Sequence, residues 1–313
     1  MNKHYSILHI SDLHKGENND FDHLFASLCN DADSYDQDIP KPEFIVVCGD
    51  LAEGANGEDA EEKIVKQYQE VESFLDKLVR HFLNGDKSRI IIVPGNHDLY
   101  RGATIRSMEA IPDDIRESAK ERYLKGDPQY RWSWKDFCFY LINKEEEYAS
   151  RFKFFVEFYN RFYEGIRTID DCDMLNKVID FPEYNIAFAT FNSCYRIDHL
   201  NQIGAINSKA IVESQSKLSK VFKYGRFIVG VWHHNISGIP TQTNYLDPRV
   251  LHSLMDFHIQ LGLYGHQHHT EALYEYHDIF KQGRMTLISS GCLYGRGKTM
   301  PEGTHCQYNI LEI

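Results

Sequence analysis

The sequence predicts an α/β protein built in layers. Two observations carry this. Short β-branched or aromatic runs alternate with longer amphipathic stretches, and each run is followed closely by Gly, Asp, Asn or His. In chain order, strands are expected over 5–10 (YSILHI), 44–48 (FIVVC), 90–93 (IIIV), 186–191 (IAFATF), 227–232 (FIVGVW) and 261–264 (LGLY). Helices are expected between them over 22–30, 58–83, 208–222 and 248–258. The last part reads differently: 271–276, 284–290 and 307–313 look like strands with no helix between them, so the sheet system is expected to end in a meander.

One segment interrupts this rhythm. From about 100 to 178 no clear strand is visible and the composition turns aromatic and charged. Tyr148, Phe152, Phe155, Tyr159 and Phe162 follow one another at steps of 4, 3, 4 and 3, a single helical stripe. The region reads as a helical insertion, with the stripe as its own core. The minority reading is a cap with a ring exposed to stack on a nucleobase. Residues 1–313 otherwise read as a single domain.

Composition narrows the classes. The chain has 313 residues, 42% hydrophobic and 26% charged, which excludes a low-complexity, collagen-like or small disulfide-built protein. No apolar run reaches the roughly 18 residues of a membrane helix, so no membrane association is expected. The opening MNKHYSILHISDLH has no long apolar region and is not expected to be a secretory signal. Seven scattered cysteines without a C-x-x-C pair fit reduced thiols and a cytoplasmic location. The net charge of −12 argues against a broad nucleic-acid surface, though a local basic patch is compatible with it. Sixteen histidines are many, and their positions are more telling than their number.

Five signals each follow a predicted strand: Asp12-Leu13-His14, Gly49-Asp50, Gly95-Asn96-His97-Asp98, His233-His234 and Gly265-His266-Gln267-His268. Loops at strand ends of an α/β sheet gather in space, so these five should meet. Their Asp, His and Asn side chains offer oxygen and imidazole donors, with no cysteine among them. That set favours divalent Mn, Fe, Zn or similar ions over a thiolate-held structural zinc. Seven candidate donors are too many for one tetrahedral site. They suit two ions roughly 3.5–4 Å apart sharing a carboxylate, the clamp used in phosphate-ester hydrolysis. Gly49, Gly95 and Gly265 would permit the tight turns that bring these donors inward.

DLH, GD, GNHD, HH and GHQH, in this order from residue 6 to about 268, resemble the calcineurin-like metallophosphoesterase superfamily. The resemblance implies a four-layer α/β/β/α sandwich and two divalent ions, manganese first among Fe, Zn, Ni or Mg. It implies that Asp12, His14 and His268 hold the first ion, that Asp50 bridges, and that Asn96, His266 and His233 complete the second. His234 stands where many members have a second histidine followed by proline, and here Asn235 follows it, so the choice between His233 and His234 stays open. His97 is similar to the family's non-ligand histidine at the leaving oxygen, with Asp98 or Glu53 as the group that orients it. The implied chemistry is in-line attack on phosphorus by a metal-bound hydroxide.

Contacts to substrate are sought among Arg101, Arg196 and His234. Lys15, His199, Arg296 and Lys298 are weaker candidates, the last two beside a glycine-rich stretch, 291–297, placed to fold over the cleft. The leading expectation is a phosphodiesterase acting on nucleotides or cyclic nucleotides. A DNA or RNA nuclease is the alternative, and a catalytically silent scaffold is a third reading. The family's protein phosphatases carry arginines in and beside the second and third motifs that GDLAEG and GNHDLY lack. A protein partner docking on the insertion is also left open.

Overall fold

The structure, a computed structural model, describes residues 5–17, 20–35, 39–237, 244–277, 284–294 and 305–313. Its first half alternates β1 (Ser6–Ile10), α1 (Phe21–Asp33), β2 (Pro42–Cys48), α2 (Ala60–Leu83) and β3 (Ile90–Val93). Helix α2 shows why these stretches fold as they do. Ile64, Tyr68, Val71, Leu75 and Leu78 make one buried face, Glu61 and Glu62 sit in the first turn, and Arg80 and His81 in the last. Asn84 closes the helix in the left-handed conformation, φ 54°.

Between α2 and the second half of the chain lie α3 (Arg101–Arg106), β4 (Met108–Ala110), α4 (Arg116–Leu124), β5 (Tyr130–Ser133), β6 (Cys138–Ile142), α5 (Glu145–Ala149) and α6 (Lys153–Tyr163). The second half continues with β7 (Val178–Phe181), β8 (Ile186–Thr190), α7 (Ser208–Lys223), β9 (Phe227–Val231), α8 (Pro248–Asp256) and β10 (Leu261–Tyr264). It ends with β11 (Thr270–His277), β12 (Arg284–Ser290) and β13 (Asn309–Glu312).

Among the described residues, one sheet has the order β13-β1-β2-β3 and the other β11-β12-β10-β9-β8-β7. Strands β1, β2 and β3, and likewise β8, β9, β10 and β12, run parallel; β13, β11 and β7 pair antiparallel at sheet edges, and β3 forms the other edge of the first sheet. The sheets face each other: Phe44 of β2 meets Phe181 at 4.9 Å and Phe188 at 5.1 Å between ring centres. Helices α1 and α2 cover the first sheet. Leu218 of α7 and Leu251 and Leu254 of α8 bury Trp232 and Ile259 against the outer side of the second. This is the expected α/β/β/α sandwich.

The end of the chain departs from expectation. β11 and β12 pair as a hairpin, but β12 also pairs in parallel with β10, and β13 crosses to pair antiparallel with β1 of the other sheet. Among the described residues no meander forms, because an open edge of β1 is available and pairing it satisfies a row of backbone groups.

The segment 100–178 carries helices as expected, and also a three-stranded antiparallel sheet, β4-β6-β5, that was not anticipated. Its inward residues on β5 are Arg131, ion-paired with the fully buried Asp198 at 2.6 Å, and Ser133. A polar inner face and an exposed Trp134 nearby invert the usual alternation, which hides the strand. The sheet is closed off at its base, where Asn143 N donates to Ser107 O at 3.1 Å.

The aromatic stripe is also placed differently. Its helix breaks into α5, a 3₁₀ turn over Ser150–Phe152, and α6. Phe155, Phe158, Tyr159 and Phe162 are buried in the core of the main body, and Phe158 stacks on Tyr68 of α2 with ring centres 5.2 Å apart. All of the stripe except Tyr148 is therefore main-body core, and the core rings offer no face to a nucleobase; Tyr148 is half-buried with its hydroxyl on Asp198 at 3.0 Å. Phe158→Ala should lower unfolding free energy by about 3–5 kcal/mol in urea titration, while Trp134→Ala on the exposed hairpin should change it by less than about 0.5 kcal/mol.

Candidate metal centre

The five motif loops meet at one end of the two sheets. The pairing of β1 with β2 continues beyond the strands: Asp12 N donates to Gly49 O, His14 N to Asp50 O and Lys15 N to Leu51 O, at 2.9–3.1 Å. That ladder sets Asp12, His14 and Asp50 side by side. The second sheet joins through Gly265 N to His233 O at 2.9 Å and His266 N to the Asp12 Oδ2 at 3.0 Å.

Two donor clusters result, and Asp50 belongs to both. Asp12, His14, Asp50 and His268 each offer one atom within 4.8 Å of the others, and so do Asp50, His233 and His266. In the first, His268 Nε2 lies 3.2 Å from Asp12 Oδ1 and 3.1 Å from His14 Nε2. In the second, His233 Nε2 is 3.4 Å from Asp50 Oδ2, 3.0 Å from Asn96 Oδ1 and 3.2 Å from His266 Nδ1. His233 Nδ1 donates to Cys48 O at 2.6 Å, which leaves its Nε2 as the nitrogen aimed inward. On His266, Nε2 accepts from the Asn244 side-chain amide at 2.9 Å, and Nδ1 faces His233.

The geometry is strained. Asp12, His14, Asp50, His266 and His268 have φ of 56°, 42°, 52°, 73° and 58°, left-handed values that cost about 1–3 kcal/mol each at a non-glycine residue. Of the three motif glycines only Gly49, at φ +87°, needs left-handed freedom. Gly95 is required by close approach: a Cβ there would lie 2.1 Å from Asp50 Oδ1. Gly95→Ala should therefore displace the Asp50 carboxylate, and calorimetric titration with Mn²⁺ should show metal affinity at least about 10-fold weaker.

Charge points the same way. Burial alone would raise the Asp12 carboxyl, but the His14 and His268 imidazoles overrule it and hold it well below the usual carboxylate range. Asp50 behaves likewise against burial through His233 and His97. Burial opposes protonation of His233, yet Asp50 lifts it to about 9. Burial and the neighbouring His233 push His266 down to about 3. Among the described residues, no Lys or Arg pairs with either buried carboxylate. Asp12 Oδ1 is buried without a hydrogen-bond partner while facing two imidazole nitrogens. Two buried carboxylates ringed by converging imidazole nitrogens fit a pair of divalent cations.

The other sequence candidates are placed as follows. His97 lies at the rim, its ring edge-on to His14 at 4.7 Å, and its main-chain N donates to Asp50 Oδ1 at 2.7 Å. Its Nδ1 meets the main-chain carbonyl of Glu53 at 3.1 Å, whereas the Glu53 carboxylate lies over Gly16. Asp98 turns away from His97: its buried carboxylate accepts from Leu51 N, Ala52 N, Gly95 N and the Tyr68 hydroxyl. Burial and the nearby Asp50 charge raise it to about 6. His234 is buried with Nδ1 on Ser193 Oγ at 2.9 Å, and it joins neither donor cluster.

Arg101 is exposed and lines a cavity of about 210 Å³ with Glu53, Gly54, Asn56, His97 and Leu99. Arg196 is exposed, its guanidinium over the Tyr195 ring. Lys15 is buried and ion-paired with Glu70 at 2.6 Å, and His199 bonds Thr104 Oγ1 at 3.0 Å. Arg296 and Lys298 lie outside the described residues. The sequence reading missed Asn244, which follows no motif, and Cys292, which the absence of any thiol from the motifs had set aside.

The sequence pattern described as calcineurin-like phosphoesterase matches residues 5–270. A stretch is 29% identical over 133 residues to the DNA polymerase II small subunit of Methanocaldococcus jannaschii, covering 38% of this chain and 21% of that protein. Among solved structures, the purple acid phosphatase PPD1 of yellow lupin (Lupinus luteus) aligns at TM-score 0.49 and 8% identity, covering 100% of this chain and 49% of its own. A dimetal phosphatase from Danio rerio aligns at TM-score 0.47 and 15% identity, covering 98% and 91%. The chain thus spans about a fifth of the curated relative's length and about half of the lupin phosphatase. No helix among the described residues is long and apolar enough to cross a membrane.

Proposed function

Because the chain belongs to the calcineurin-like phosphoesterase family, we propose that it hydrolyses phosphodiesters of nucleotide type with two divalent ions. The observation that carries this reading is the Asp50 carboxylate shared by both donor clusters. Asp12, His14 and His268 would hold the first ion, Asn96, His233 and His266 the second, and Asp50 both. When bound, the ions supply a Lewis-acid clamp on the phosphoryl oxygens and a nucleophile at neutral pH. The residues of the chain do the rest. Cys48 O accepts from His233 Nδ1 and so orients that imidazole, while the Asn244 amide contacts His266 at Nε2. The Glu53 carbonyl accepts from His97 Nδ1 and leaves Nε2 for the leaving oxygen, to which it can donate only in its imidazolium form. Asp98 holds the third motif loop against the second rather than orienting His97.

The roughly 210 Å³ cavity beside His97, with Arg101 on its wall, supports a small leaving group as the occupant. The segment from about 100 to 178 acts in this reading as a cap, tied to the loop after β8 by the Arg131–Asp198 ion pair and the Thr104–His199 bond. Free thiols at all seven cysteines suit the cytoplasm. A second reading, cleavage of nucleic acid, draws on the similarity to a DNA polymerase small subunit, against the net charge of −12.

The deciding measurement is hydrolysis of bis(p-nitrophenyl) phosphate beside p-nitrophenyl phosphate on stripped protein with Mn²⁺ restored. Fe²⁺, Zn²⁺, Ni²⁺ and Mg²⁺ are compared, and cyclic nucleotides and single- and double-stranded DNA run in parallel. Diester cleavage that extends to cyclic nucleotides supports the proposal. Cleavage of DNA alone promotes the second reading, and bound metal without turnover on any substrate overturns both.

A further inference from the structure

The first donor cluster has a neighbour that no motif contains. Cys292 lies just past β12, in a loop stitched onto the first motif: Leu293 N donates to Ser11 O at 3.0 Å and Tyr294 N to Asp12 O at 3.3 Å. Its Sγ is buried, donates to the Asp12 main-chain O at 3.3 Å, and comes within 4.8 Å of a ring nitrogen of both His14 and His268. Asp12 Oδ1 faces the same two imidazoles, fully buried and without a hydrogen-bond partner. His14, His268 and Cys292 therefore form a third donor group, which shares His14 and His268 with the first ion position.

We infer that Cys292 is a sulfur donor to the first ion position, and that this position takes zinc, iron(II) or cobalt(II) ahead of manganese or magnesium. The reason is ligand softness. A thiolate prefers thiophilic ions, while carboxylate and carbonyl oxygens accept manganese and magnesium equally well. The second position, with Asn96, His233, His266 and Asp50, offers only nitrogen and oxygen and lacks the added preference that sulfur brings. The two positions are thereby chemically unequal, although their shared carboxylate makes them look alike. On binding, the thiol proton passes to solvent and the sulfur lone pair to the ion. The inference rests on the two-ion reading above.

The test is a Co²⁺ titration of the metal-stripped full chain, with bound ions counted by equilibrium dialysis and the near-ultraviolet spectrum recorded. The expected result is two ions per chain and a sulfur-to-cobalt charge-transfer band accompanying one of them. The band should vanish in Cys292→Ser and persist in Cys306→Ser, whose thiol is exposed and belongs to no donor group. Zinc should bind one position of Cys292→Ser at least about 10-fold more weakly, with Mn²⁺ affinity little changed. Two bound ions with no band in the wild-type protein would overturn the sulfur donor and leave the two-ion reading standing. So would a band that survives Cys292→Ser. A chain that takes up no cobalt would overturn both.

Discussion

Asp50→Asn should abolish metal-dependent turnover while the protein stays folded. The carboxylate is buried, belongs to both donor clusters and is the only donor they share. An amide has one neutral acceptor oxygen where two ions need a bridging anion. The loss should exceed the roughly 10–100-fold that follows removal of a merely supporting group around a metal. The fold should tolerate the change, because residue 50 sits at φ 52° and asparagine adopts the left-handed region as readily as aspartate. The remaining oxygen can still accept from His97 N, as Asp50 Oδ1 does at 2.7 Å. Bound metal by elemental analysis, melting temperature and diester hydrolysis check this together. An active variant that still holds two ions would refute the shared-carboxylate arrangement.

His97→Ala should behave in the opposite way, keeping both ions and losing about 10²–10⁴ in rate. The separation of effects comes from how His97 is attached. Its tie to Asp50 runs through the main-chain N–H, which alanine retains, whereas its ring contributes only the edge-on contact with His14 and the bond to the Glu53 carbonyl. The ring environment also has a direction: burial lowers its pKa and the Asp50 charge pulls the other way, with burial prevailing. The imidazole therefore loses its proton below the ordinary histidine range. Metal content unchanged with kcat reduced is the expected signature. Loss of an ion would make His97 a ligand instead.

The difference between these two residues shows what was legible in the chain itself. Asp12, His14, Asp50, Asn96, His233, His266 and His268 could be picked out because each follows a β-rich run within a few residues. Strand ends in an α/β sheet converge whatever the rest of the chain does. Periodicity also sufficed for α2 and for β3, whose four apolar residues are wholly buried. Where residues face inward for reasons other than hydrophobicity, the pattern failed. Arg131 on β5 points into the protein to meet Asp198, so a strand there looked like a polar loop.

The sequence by itself determined the sandwich, the order of the loops and the donor types, because local residue chemistry and spacing carry that information. Tertiary structure alone decided four things. It sent β13 across to β1 rather than into a meander, since an unpaired sheet edge is satisfied by whichever strand can reach it. It merged the stripe on α6 with α2, since a helical stripe declares only that it needs a partner and not which one. It turned Asp98 onto the backbone of the second loop, where four donors satisfy a carboxylate that His97 does not reach. And it brought Cys292 beside His14, across 278 positions of chain, by stitching a loop to the end of β1. Contacts so distant in sequence leave no periodic trace, because they are set by packing and edge pairing after the local elements have formed.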